Sequence, residues 1–213
     1  MKISPTHTIV GQGTYVDLSS FGSIAEHTYS DPGFFLQSLC RIPRFAGAGD
    51  RFYSVAQHSV LVAELVAQRC RSDRLRPEAK LHAFLHDAHE AFLGDIPHPV
   101  AQLLASDLPE FTARLSDVKE DIQSAIYSGL ELQRPDAETL AAIALADKQA
   151  LAIEAAILFK TDAQTWPQLK GVPYPLLPPA LLNWPFPLNT TKKRGRKAIF
   201  DYYQQLCKDT SYL

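Results

Sequence analysis

Residues 86–99 read HDAHEAFLGDIPHP, a run of histidines and carboxylates set among apolar residues. His86, Asp87 and Glu90 fall inside a segment of helical periodicity. Such residues either form a solvated charged face or line a cleft that holds a divalent ion. On a helix His86 and Asp87 point about 100° apart, and both can reach an ion in a groove beside it. Glu90 lies four positions after His86 and three after Asp87, next to both. His58 sits in VAQHSVLVA with Leu61, Val62 and Leu65 on the same face, so it points toward the core. Asp147 sits in ALADKQALA, within the most apolar segment of the chain. A buried, unpaired carboxylate there would be expensive unless neutralised. One cation among His58, His86, Asp87 and Asp147 would satisfy all four. Taken singly, each has a plain structural explanation: a hydrogen-bonded core histidine, an Asp147–Lys148 pair, a common dipeptide. The combination is the specific signal.

That combination resembles the HD-domain metal-dependent phosphohydrolases, and among them the compact bacterial 5′-deoxynucleotidases and the phage dATP triphosphohydrolases. Their block reads HDAxExxxGDxPxP, and every fixed position of it is present here. The resemblance covers roughly residues 33–160 and implies an all-α HD-domain helical fold. It further implies that His58, His86, Asp87 and Asp147 hold one divalent ion, of the borderline kind that suits two imidazoles and two carboxylates: Co²⁺, Mn²⁺, Ni²⁺, Fe²⁺ or Zn²⁺. Such an ion would polarise a phosphate and acidify a water. Glu90 and Asp95 would then share the general acid and base roles, in an order the residues leave open. An N-cap of the following helix is the structural alternative for Asp95.

The family pattern also carries an arginine followed by an aromatic residue before its first histidine. Arg44–Phe45, in RIPRFAG, stands fourteen positions before His58. Arg44 would neutralise phosphate charge, and Phe45 would press against a sugar or base. His82, His89 and His98 remain outside this set. The later histidines that two-metal relatives use, including the di-iron oxygenases, are absent, so a single resident ion is expected. A second could arrive with a polyphosphate substrate. Ala91 stands where the (p)ppGpp hydrolases of the superfamily have Asp.

The expected activity is release of phosphate from deoxynucleoside monophosphates. Release of tripolyphosphate from a dNTP such as dATP is the alternative within the same chemistry. A nucleotide-binding regulatory module without turnover is the alternative of another class. Family members are often dimers, so the resemblance also implies a homodimer.

The elements that must position these residues can be read from periodicity and punctuation. TIVGQGTYVDL (8–18) predicts a strand or hairpin, and PGFFLQSL (32–39) begins a helix. Residues 40–52 form a Gly- and Arg-rich loop. Ser54 can cap the helix that carries His58. PEAKLHAFLHDAHEAFL (77–93) reads as one helix ended by Gly94. Helices follow near Val100 and over 109–130 and 135–160, the last alanine-rich and expected to be central and buried. Residues 166–187 contain seven prolines and predict an ordered wrap carrying Trp166, Tyr174, Trp184 and Phe186. TKKRGRK (191–197) precedes a last helix at about 198–208.

With 213 residues, 46% apolar and 21% charged, the chain suits a single domain, 1–213, with a full core. A net charge of −2 argues against a nucleic-acid partner. No apolar run of membrane-spanning length occurs, and the N-terminal residues lack the pattern of a secretory signal. Cys40, Cys70 and Cys207 are odd in number and widely spaced, which predicts no disulfide framework and a reducing cytoplasm.

Overall fold

The structure is a computed structural model, and it describes residues 6–11, 13–69, 76–173 and 189–210. It is mostly helical, with a small two-stranded sheet near its N-terminus. Strands β1 (His7–Val10) and β2 (Thr14–Asp17) pair antiparallel, His7 opposite Asp17 and Val10 opposite Thr14. Gly11, in the turn, lies so close to Phe34 that an added Cβ would meet its carbonyl oxygen at 2.3 Å. The same turn is tied down by Gly11 N–H donating to Ser38 Oγ (2.9 Å) and Gln37 Nε2 donating to Gly11 O (3.3 Å).

Helix α1 (Gly22–Ser30), for which the sequence offered no expectation, packs on α7 (Pro109–Gly129). Gly129 permits the close approach, because a Cβ there would lie 2.4 Å from Ala25 O. The helix expected from Pro32 is shorter: only Leu36–Leu39 (α2) is helical, and residues 32–35 are turns. A one-turn 3-10 helix, Arg44–Gly47, lies in the predicted loop.

Helix α3 (Val55–Ala67) is buried along its whole length except at Glu64. Ser54 and Gln57 form a full capping box at its start: Ser54 Oγ accepts from the Gln57 N–H, and the Gln57 side chain accepts from the Ser54 N–H. It packs against α4 (Arg76–Leu85) and α8 (Ala137–Leu158). The central helix is therefore α3, not the 135–160 segment. In α8 burial is densest in the second half; of the first half Ile143 and Ala146 are buried, while Leu140 and Leu145 are exposed. Small alanines let α8 pack closely, but they do not by themselves bury it.

The expected continuous helix over 77–93 is also interrupted. It ends at Leu85, resumes as α5 (Glu90–Leu93), and crosses residues 86–89 in turns. Amide N–H groups of Ala88, Glu90, Ala91 and Phe92 each bond three residues back rather than four, at 2.9–3.1 Å. The chain tightens there to 3-10 spacing. Helix α6 (His98–Asp107) follows after Pro97.

The last helix, α9 (Lys193–Asp209), begins within the basic run rather than after it. It packs on α4, α2 and α3, with Tyr203 donating its hydroxyl to Pro32 O at 2.8 Å. Residues 174–187 of the expected Pro-rich wrap, with Tyr174, Trp184 and Phe186, and Cys70 lie outside the described residues. Cys40 and Cys207 are buried free thiols. Among the described residues no helix is long and apolar enough to cross a membrane.

Candidate metal centre and cleft

His58 sits one turn into α3, directly after the Ser54 cap, so the capping box also sets its position. Its Nδ1 lies 2.7 Å from Glu154 Oε1. Its Nε2 faces Asp147 Oδ1 at 3.1 Å and Asp87 Oδ2 at 3.6 Å. His86 stands in the tightened turn, with Nδ1 2.8 Å from Ala83 O and Nε2 3.2 Å from Asp87 Oδ2.

These contacts decide which ring nitrogens are donors. A carbonyl oxygen and a carboxylate only accept, so Nδ1 of each histidine must carry the proton. When neutral, each ring then presents an Nε2 lone pair. Both Nε2 atoms are buried, lack a hydrogen-bond partner among the described residues, and belong to rings 5.2 Å apart. Ligand atoms of His58, His86 and Asp147 lie within 4.8 Å of one another. Two orphaned imidazole nitrogens facing two carboxylates are a donor set that fits a divalent cation.

Asp147 departs from the expectation of a buried acid. It lies on α8 where that helix leaves the core, and its side chain is 46% exposed. Its carboxylate stands at the cleft and does not bear the full cost of burial. His58 and His86 hold it below the usual carboxylate range against partial burial. Asp87 is lowered further, because His86 and His58 outweigh the effect of burial. His58 is itself pushed up to about 10: burial and the Arg44 charge oppose its protonation, but Glu154 and Asp147 outweigh both.

Arg44 reaches the same point from the 3-10 turn. The loop that carries it is closed by Arg44 N–H to Tyr53 O (2.9 Å) and Val55 N–H to Ile42 O (3.1 Å), which fixes it to the start of α3. Its guanidinium lies 3.7 Å from Asp87 and 3.3 Å from Glu154. Burial opposes its charge, but Glu154, Asp87 and Asp147 more than offset that. Phe45 and Ala46, next in the chain, adopt positive φ of 57° and 51°. Two consecutive non-glycine residues in the left-handed region are strained, and such strain collects at functional sites. It turns Phe45 onto Phe159 and Trp166, at 5.1 and 6.2 Å between ring centroids.

Glu90 is buried, and its Oε2 has no hydrogen-bond partner among the described residues. Burial and the neighbouring Asp87 and Asp95 carboxylates push it up to about 9. Asp95 is raised by burial against the pull of Arg44, and it accepts from the Phe45 N–H. Asp95 does not cap α6, whose N-cap is Pro97 with no side-chain bond. Arg44, Phe45, Asp87, Glu90, Asp95 and Asp147 all line one cleft of about 950 Å³. Its far walls include Leu151, Phe159 and Trp166, and Lys119, Lys148 and His98 also border it.

His82, His89 and His98 separate. His82 turns away, edge-on to Tyr127 with Nε2 3.8 Å from Glu78. His98 borders the cleft. His89 is buried, and its ligand atom lies within 4.8 Å of those of Asp87 and Glu90, a second group able to hold a cation.

Sequence reasoning missed Glu154, which is fully buried and touches both His58 and Arg44. Its signal was available: an acid seven positions after Asp147, two turns along the same helical face, inside an apolar run.

No family model matches the chain. It is 38% identical over 136 residues to a protein of Escherichia coli (strain K12) described as uncharacterized protein YfdR, covering 64% of this chain and 65% of that one. It is 39% identical over 80 residues to the uncharacterized protein RCAP_rcc00048 of Rhodobacter capsulatus, covering 37% of this chain and 40% of that one. The chain thus spans less than two thirds of the length of either relative.

Proposed function

We propose that this protein is a metal-dependent phosphohydrolase of the HD-domain kind, acting on nucleotides in the cytoplasm and releasing phosphate from 2′-deoxynucleoside 5′-monophosphates. The observation that carries this reading is the convergence of two unpartnered Nε2 atoms, from His58 and His86, on Asp87 and Asp147 beside a buried arginine. These four side chains would hold one divalent ion, which supplies charge stabilisation for phosphate and a more acidic water.

The chain's own groups account for the rest. Arg44 offers a guanidinium fork to the phosphate oxygens, already held in place by Glu154. Glu90, which without an ion keeps its own proton up to about pH 9, would take the proton of the attacking water only once its own has been drawn off by cation binding. Asp95 gives a proton to the leaving 5′ oxygen as the P–O bond breaks, and the two acids can exchange these duties. The aromatic wall of Phe45, Phe159 and Trp166 excludes water and suits the sugar or base.

Lys119 and Lys148 on the cleft border favour a second reading, the hydrolysis of a dNTP such as dATP to the nucleoside and tripolyphosphate. There Asp87, His89 and Glu90 are the donors at hand for a second ion brought by the phosphate chain. Incubation of the purified chain with Mn²⁺ or Co²⁺ and either dAMP or dATP separates the two. Inorganic phosphate from dAMP, lost in Asp87→Ala, supports the first reading. Tripolyphosphate from dATP with dAMP untouched supports the second, and turnover of neither contradicts both.

A further inference from the structure

We propose that Glu154 is a positioning residue shared by the cation and the phosphate: one buried carboxylate orients His58 toward the ion and Arg44 toward the substrate. The inference rests on the metal-dependent reading of the site.

Glu154 has no solvent exposure and lies in an apolar part of α8. A carboxylate placed there costs desolvation that an apolar residue of similar size would avoid. Its two oxygens address two different elements. Oε1 receives Nδ1–H of His58 at 2.7 Å, and Oε2 faces Arg44 Nη2 at 3.3 Å. The buried Tyr53 hydroxyl lies near enough for the Glu154 charge to act on it. Because a carboxylate cannot donate, the contact with His58 permits only the tautomer that leaves Nε2 free for an ion. A carboxylate behind a ligating histidine also raises the basicity of its ring. On the other side, Glu154 draws Arg44 away from an exclusive pairing with Asp87, which leaves the Asp87 carboxylate available at the centre.

Helix α8 thus supplies both layers. Asp147 stands at the cleft, and Glu154, seven residues and two turns further along, stands behind it. Loss of Glu154 should therefore weaken two properties at once, one belonging to α3 and one to the 3-10 turn. A residue that merely filled the core would weaken neither.

The test compares the full chain with Glu154→Gln, which keeps the shape and removes the charge. Zinc affinity is measured by competition with a chromophoric chelator, and inorganic phosphate affinity is measured at saturating zinc. The proposal predicts zinc binding roughly 10–100-fold weaker and weaker phosphate binding even when zinc is saturating. A folded variant with wild-type affinity for both overturns it.

Should Glu154→Gln fail to fold, ¹⁵N spectra of the zinc-loaded wild type decide. A proton on His58 Nδ1 with slow exchange supports the proposal, and a bare Nδ1 overturns it. Wild-type protein that takes up no zinc overturns the metal reading and this proposal together. Zinc and phosphate affinities that are both unaffected by the substitution overturn the proposal alone.

Discussion

Two histidines become equivalent donors through different acceptors, a backbone carbonyl for His86 and a buried carboxylate for His58. The difference is electrostatic. Ala83 O imposes geometry, whereas Glu154 together with Asp147 also holds a proton on His58 up to about pH 10 against burial and Arg44. Without an ion, His58 therefore carries its second proton at neutral pH, on Nε2. A cation must displace that proton, so apparent affinity rises with pH through the neutral range and levels off near the raised value. Calorimetric titration with zinc at pH 7.5, in buffers of different ionisation enthalpy, should show at least one proton released per ion; none released would mean that the ion does not take His58 Nε2. The residue types at this site were legible in the sequence because His58, the His86–Asp87 pair and Asp147 break apolar patterns. Glu154 breaks the same pattern, but a glutamate near a helix end ordinarily reads as surface charge. Only the tertiary packing of α3 on α8 turns it inward.

The elements differ from their sequence pattern where the site makes demands on them. Periodicity from 77 to 93 describes one helix, and the apolar face is continuous. The fold nevertheless tightens at 86–89, which takes His86 and Asp87 out of the regular helix, with His86 Nε2 3.2 Å from Asp87 Oδ2. Helical periodicity cannot register a local change from four- to three-residue bonding. Gly94 ends the segment at φ 79°, ψ 164°, a conformation essentially confined to glycine. An added Cβ there would touch nothing within 4 Å. Gly94→Ala should therefore cost about 1–3 kcal/mol through backbone strain alone. It should also reduce turnover, because Asp95 follows directly. Urea unfolding measures the first effect and steady-state kinetics the second; an unchanged midpoint would show that the turn does not need glycine. The cap at Ser54 and the hairpin were legible because they depend on local chemistry. The rank of the helices was not: alanine content suggested α8 as the centre, but the centre is α3, whose buried positions include Gln57, His58 and Ser59.

Across the whole molecule, the site gathers residues from α3, the turn after α4, the Arg44 loop and α8, separated by up to 110 positions between Arg44 and Glu154. The C-terminal part braces this assembly from behind. Thr190 donates to Ser54 Oγ at 3.0 Å, reaching the capping box that sets His58. Tyr202 donates to Glu64 at 2.8 Å, and Lys80 of α4 reaches the same carboxylate at 2.7 Å. The overall class, mostly helical with a small N-terminal sheet, followed from composition and periodicity. The long-range bonds did not, because no local pattern joins residue 190 to residue 54. The central claim is that these distant elements build one cation site, and its most direct test is anomalous scattering from crystals grown with Mn²⁺. The account predicts a strong peak within bonding distance of His58 Nε2, His86 Nε2, Asp87 and Asp147. A featureless map at that point, or a peak only beside His89 and Glu90, would contradict it.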